Sequence, residues 1–295
     1  MRVRAFLRGL IPFLLIIVLS LPILVGYLWI LISTFAQRTY GLLPMDADGR
    51  LGGITLKNWV LLFQDPRIWT LTLNTLFLAL GLTLGVLLVS SLAAYPLSRI
   101  KFPGRKGFLS LTLILHAFPS VTLLIAIFFV LRWIAKIPIL GKGIPLIGGF
   151  GYNTIGGVTL VSIALQLPLG IWLMKGFFDT ISWDIERAAL IDGCSRFRTW
   201  RQILLPQIKP GLAALGIFSF IQGWSSFLIP YTFIVESRSA VISTYLNFLT
   251  SENRPINYGL VAALGLYQLL PILIFYVFTQ KYLLQIFSGG MKGGA

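Results

Sequence analysis

The stretch TLTLNTLFLALGLTLGVLLVSSLAAYPL, residues 70–97, runs for 28 residues without an Asp, Glu, Lys or Arg. A helix of that length measures about 42 Å at 1.5 Å per residue, more than the roughly 30 Å hydrocarbon core that about 20 apolar residues can cross. Working outward, comparable stretches fall at about 10–35, 108–134, 156–174, 211–234 and 259–280, each bounded by charge, Gly or Pro. The pattern predicts an all-α, polytopic membrane protein of six helices with short connections, a single domain over 1–295. Composition agrees: of the 295 residues 57% are hydrophobic and 11% charged, with mean hydropathy +0.87, which excludes a water-facing globular surface. Pro12, Pro22, Pro96, Pro119, Pro168, Pro230 and Pro271 fall within or at the ends of these stretches, where neighbouring helices re-satisfy freed carbonyls, so kinks are expected rather than breaks. The first stretch follows Arg2, Arg4 and Arg8 but far exceeds a signal-peptide core, so it reads as a retained helix.

The net charge of +15 would suggest nucleic acid in a soluble chain, but here the cations sit at span ends. The N-terminus, the 98–107 loop, the 175–210 loop and the tail together hold 15 of the 24 Lys and Arg. Excess loop cations stay cytoplasmic, so both termini and these two loops are expected on that side. Asp46, Asp48, Asp65, Glu236 and Glu252 then fall outside.

No Asp, Glu, Lys or Arg lies in the middle of any span. Ion-coupled carriers keep an ionisable group at membrane depth as the coupling element, so that class is disfavoured. No G-x-x-x-x-G-K-[ST] loop is present either. Energy is therefore expected from a separate ATPase subunit, with ATP and Mg bound there and no cofactor in this chain. The lone Cys194 excludes an internal disulfide, the lone His116 excludes paired-His zinc motifs, and no metal site is expected.

The longest cytoplasmic connection, 175–210, has helical structure written into it. Ser182 or Asp184 can cap a short helix through Glu186, Arg187, Ala188, Ala189, Leu190, Ile191 and Asp192, which Gly193 ends in the left-handed conformation. A second helix follows with Phe197, Trp200, Ile203 and Leu204 on one face, Arg198, Arg201 and Gln202 on the other, and Pro206 closing it. Ala188 and Ala189 form a bare surface flanked by Glu186 and Asp192, suited to close docking into a partner's groove. The other reading is an interfacial amphipathic loop that packs under the bundle.

The string Glu186-Arg187-Ala188-Ala189-Leu190-Ile191-Asp192-Gly193, followed by Ile203-Leu204-Leu205-Pro206, resembles the EAA loop of ABC importer permeases. Ala188, Ala189, Asp192, Gly193, Ile203, Leu205 and Pro206 match that pattern, while Trp200 stands for its usual Phe and Cys194 for its usual Ala. Arg187 occupies the place of the family's Glu, with Glu186 one position earlier, so the polar contact with the ATPase falls to one of these two. Phe102-Pro103-Gly104, Phe118-Pro119-Ser120, Asn153-Thr154-Ile155-Gly156-Gly157, and Trp172 with Lys175-Gly176-Phe177-Phe178 resemble the sugar-importing, maltose-type branch. The closing Gly289-Gly290-Met291-Lys292-Gly293 looks like the tail of its smaller permease.

The resemblance implies a type I ABC importer permease fold in a bacterial or archaeal plasma (inner) membrane. The implied partners are a homologous second permease, two ATPase subunits and an extracytoplasmic solute-binding protein, with membrane lipid around the spans and no nucleic acid. The implied cargo is a di- or oligosaccharide, with glycerol phosphate or a polyol as the nearest alternative, and the chain itself is not expected to be an enzyme. The outer loop 236–258, with Tyr245, Asn247, Asn253 and Asn257, would receive the binding protein. His116 one turn before Pro119, and Trp224 beside Ser225 and Ser226, are candidates for the translocation path, against the alternatives of a packing histidine and an interface tryptophan. For Asn74, Gln166, Gln222, Ser225, Ser226, Tyr231 and Gln268, interhelical hydrogen bonding is the default expectation.

Overall fold

A computed structural model describes residues 2–40, 43–46, 48–142, 148–251 and 256–290 of the chain. Its helices are α1 (Arg2–Phe35), α2 (Lys57–Gln64), α3 (Arg67–Arg99), α4 (Arg105–Ala117), α5 (Leu124–Ala135), α6 (Pro138–Lys142), α7 (Ile155–Asp179), α8 (Trp183–Ile191), α9 (Arg196–Thr199), α10 (Leu205–Gln207), α11 (Lys209–Trp224), α12 (Leu228–Phe233), α13 (Ile242–Leu249) and α14 (Tyr258–Gly290). Strands β1 (Arg38–Tyr40) and β2 (Leu43–Met45) pair antiparallel with Thr39 opposite Pro44. The chain divides into two compact units, Met1–Ile68 with Tyr245–Leu270 and Trp69–Thr244 with Pro271–Ala295.

Among the described residues, four helices are long and apolar enough to cross a membrane: Pro12–Phe35, Arg67–Arg99, Ile155–Asp179 and Tyr258–Gln280. The other two predicted spans are interrupted. The 108–134 stretch breaks at Phe118-Pro119, and its halves Arg105–Ala117 and Ser120–Lys136 meet at 96°. The 211–234 stretch stops at Trp224, unwinds through residues 225–227 and resumes as α12. At 16 residues, α11 extends about 24 Å, short of the hydrocarbon thickness. These breaks correct the expectation of kinks alone. Pro119 lacks an N–H for the ladder and disfavours helix at Phe118 before it, which takes the extended ψ of 130°. Pro12, Pro22, Pro96, Pro168 and Pro271 do sit inside continuous helices.

In the first unit Asn58 of α2 donates to the Thr34 and Ala36 carbonyls at 3.1 and 3.0 Å, satisfying acceptors at the C-terminal end of α1. In the second, α3, α7 and α11 enclose the core. Small residues set its closest approaches: a Cβ on Gly223 of α11 would lie 2.6 Å from the Ala79 Cα, so the two backbones pass at a distance only Gly permits. Leu82, Val86, Tyr95, Met174, Phe178 and Leu215 form a buried cluster between these helices. Outward-facing Leu84, Leu88, Ile125, Phe129 and Trp133 remain exposed, as a lipid-facing surface requires.

Candidate functional site

The 175–210 segment is an elbow built by local rules. Ser182 caps α8, its hydroxyl accepting from the Asp184 N–H at 3.2 Å, and Asp184 and Glu186 place acids in the first turn where the helix dipole favours them. At the other end the Gly193 N–H donates to the Leu190 carbonyl at 3.1 Å and the Cys194 N–H to Ala189 at 3.0 Å, the paired bonds of a Schellman motif. That motif needs a left-handed residue, and Gly193 supplies it with φ +83°. Ser195 then caps α9, which passes through a π turn at Trp200–Leu204 into α10. Pro206 does not close this helix as expected; it lies inside α10, and the chain turns by 80° at Ile208 into α11. The wide turn precedes it because its ring crowds the Gln202 carbonyl and it has no N–H for a regular α turn.

Burial corrects the expected faces. Trp200, Leu204 and Ile208 join the core cluster of Tyr95, Met174 and Phe178, with Ile203 and Leu205 packed partly against it, but Phe197 is 60% exposed. Ala188 is exposed and Ala189 buried, so the bare surface holds one alanine rather than two. Glu186 is not on the rim. Its carboxylate lies 3.0 Å from Arg99 Nε with both side chains 1% exposed, and it accepts from the Tyr95 hydroxyl at 2.7 Å. Arg99 also donates to the Ile181 carbonyl at 3.0 Å and sits over the Trp183 ring, 5.0 Å from its centroid. Ser98 donates to Asp179 at 2.6 Å. The last two turns of α3 therefore hold the base of α8 through a desolvated ion pair and its hydrogen bonds.

Arg187, Ala188, Ile191, Asp192, Arg196 and Phe197 are among the residues that this part of the elbow leaves exposed. Ile191 is 84% exposed, and with Phe197 it puts apolar surface on a loop otherwise rimmed by charge. Among the described residues Arg187 pairs only with Asp184, at 3.7 Å across an exposed turn. Of the two candidates for the polar contact with a partner, Arg187 is thus the accessible one.

Both span breaks open onto one cavity of about 590 Å³. His116, Ser225 and Ser226 line it, as do Gln166 and Gln222, with Phe118 and Phe227 adding aromatic surface. Among the described residues, no Asp, Glu, Lys or Arg lines it. Gln166 donates to Ser219 at 3.1 Å, an interhelical bond of the expected kind. Trp224 does not line the cavity: it is 2% exposed and stacks on Phe220 with centroids 6.0 Å apart. Its neighbours Ser225 and Ser226 face the space because the helix ends between them and the tryptophan.

The outer-loop residues also divide. Tyr245 is buried, donating its hydroxyl to Asp65 at 2.6 Å and lying under the Arg67 guanidinium. Arg67 forks onto the same carboxylate, with contacts of 3.0 and 2.8 Å, and this pairing lowers the Asp65 pKa to about 2. The carboxylate thus stays ionised until pH falls toward that value. Asn257 accepts from the Leu260 N–H at 3.1 Å and caps α14. Asn247 is exposed and free to meet a partner, while Asn253, like residues 291–293 of the Gly-rich tail, lies outside the described residues.

Comparison with known proteins places this geometry. Residues 81–283 match the family described as binding-protein-dependent transport system inner membrane component. The chain is 27% identical to the trehalose/maltose transport system permease protein of Thermococcus litoralis over 94% of both chains. It is 28% identical to the diacetylchitobiose uptake system permease protein of Streptomyces coelicolor over 90% of this chain and 83% of that one. With the maltose/maltodextrin transport system permease protein of Escherichia coli K12 it shares 33% identity over 71% and 68%. A chain of a bacterial ABC transporter involved in import of the acidic polysaccharide alginate superposes with TM-score 0.76 at 21% identity, covering 94% of this chain and 96% of that one. The interrupted spans, the elbow and these likenesses converge on one conclusion: the chain belongs to the binding-protein-dependent transport system inner membrane components, the membrane-embedded permease subunits of such importers.

Proposed function

We propose that this permease carries a carbohydrate, a di- or oligosaccharide delivered by an extracytoplasmic solute-binding protein, through an ATP-driven importer. The observation that carries the reading is the cavity at the two span breaks. Its amides, hydroxyls and imidazole supply hydrogen bonds and its phenylalanines supply ring faces, with no Asp, Glu, Lys or Arg among the described lining residues. Sugars are bound by such combinations, and a phosphate ester such as glycerol phosphate would find no Lys or Arg among the described lining residues. The importing relatives named for trehalose, maltose and diacetylchitobiose support the same class. In this reading the whole chain, 1–295, is one permease domain paired with a homologous second permease. Two ATPase subunits, carrying ATP and Mg, dock on the 175–210 elbow, and the binding protein meets the 236–258 loop.

Reconstitution tests it. With the partner permease, ATPase and binding protein in vesicles, sugar uptake should need ATP inside and persist when an uncoupler collapses ion gradients. Uptake that stops with the uncoupler at constant ATP would restore the ion-coupled alternative.

The orientation follows from the distribution of loop cations. In a Cys194→Ala background, Thr250→Cys should react with an impermeant maleimide in intact cells and Arg198→Cys should stay unlabelled until the membrane is opened. The reverse labelling would invert the topology.

A further inference from the structure

The turn joining α3 to α4 contributes nothing to the cavity at the breaks, yet it walls a second hollow of about 690 Å³. Lys101, Arg105, Lys106 and Lys175 line it together. Lys175 is neutralised by Asp179. Among the described residues no carboxylate pairs with Lys101, Arg105 or Lys106. Three uncompensated cations around one space repel one another, and an anion placed between them removes that cost.

The wall also contains backbone suited to an anion. Gly104, at φ +85°, begins the 13-residue α4 without a side-chain cap, and Gly107 stands at its third position; both border the hollow. The N–H groups of a first turn have no helical acceptor and carry the positive end of the dipole; here the Arg105 N–H reaches the Phe102 carbonyl at 3.4 Å, which leaves those of Lys106 and Gly107 for a ligand. A Cβ at Gly107 would meet nothing within 4 Å, so the space beside this turn is open. Phe102, 42% exposed, and Leu109 add apolar surface to the same wall.

We propose that this hollow binds a phosphate group, supplied by the headgroup of an anionic phospholipid or by free phosphate. Its position at the end of one span and the start of the next, with apolar side chains beside the cations, fits a headgroup whose acyl chains run along the bundle. The inference rests on the membrane location of the chain and not on the nature of the transported solute.

Native mass spectrometry of the purified importer complex, exchanged into phosphatidylglycerol or phosphatidylcholine, tests it. Phosphatidylglycerol should be retained preferentially, and Lys101→Gln or Lys106→Gln should each lower its retention about fivefold, while the Lys101→Arg/Lys106→Arg pair should retain it. Gly107→Asp offers an independent probe: an acid suits a helix N-terminus, so the fold should hold while the carboxylate occupies the anion's place and retention falls by a similar factor. If phosphatidylglycerol has no advantage but millimolar inorganic phosphate binds and is lost in the same variants, the source is the free ion. If neither lipid preference nor phosphate binding responds to Lys101→Gln, Lys106→Gln or Gly107→Asp, the site does not exist.

Discussion

Glu186→Ala and Arg99→Ala should each loosen the elbow from the bundle by about 3–5 kcal/mol, because either leaves a buried charge without its partner. The pair is fully desolvated, with both side chains 1% exposed, so solvent cannot take over the lost contact. The free energy should appear locally. Hydrogen exchange at amides of α8 and α9 should accelerate by about two to four orders of magnitude, while α3 and α7, held by their own core contacts, change little. The double variant Arg99→Leu/Glu186→Met should recover most of the protection, since a volume-matched apolar pair removes both desolvation costs. Unchanged exchange in the single variants would show that the ion pair does not hold the elbow.

That pair was hidden from sequence reading for a simple reason. Tyr95 and Glu186 are 91 residues apart, and Arg99 stood among loop cations whose only visible role was to set orientation. Nothing local distinguishes an acid that turns inward at the first turn of α8 from one that stays at the rim. By contrast, Ser182 and Gly193 were legible because capping and the left-handed turn depend on residues within five positions of each other. The same contrast runs through the spans. Their existence follows from uninterrupted apolar length, which only a membrane accommodates. Whether a proline bends or breaks a helix depends on what satisfies the freed groups nearby, and Pro168 and Pro119 read alike in the chain yet differ in outcome.

The cavity was half legible. His116, Ser225 and Ser226 stood out as polar groups in apolar surroundings, but grouping them with Gln166 and Gln222 required knowing that both breaks face one space. Trp224 pointed the wrong way because α11 ends between it and the adjacent serines, leaving the ring in the core while Ser225 and Ser226 reach the cavity. Ile191 and Phe197 carried no signal at all. Apolar residues at helical spacing read as core, and only the structure shows that these two are exposed.

That exposed face leads to the second large effect. Ile191→Asp removes apolar surface that is 84% exposed, so it should leave folding and membrane abundance nearly unchanged. If Ile191 anchors the ATPase contact, its loss should weaken association by about 2 kcal/mol or more, roughly thirtyfold. Ala188→Asp, adding bulk and charge beside it, should act alike. Gly193→Val reaches the same end by another path: a branched side chain at φ +83° is strained by more than about 1 kcal/mol and should tilt α8. Arg198→Ala removes only an exposed hydrogen bond to Gln202 and should be mild.

The most direct measurement is recovery of the ATPase subunit on the purified permease, with ATP-driven uptake in reconstituted vesicles, for Ile191→Asp, Ala188→Asp and Gly193→Val at matched membrane abundance. Recovery and uptake should fall together by tenfold or more in all three, while Arg198→Ala stays near the parent. Normal ATPase recovery and normal uptake in all three would contradict it, and the elbow would not be where the importer's energy enters this subunit.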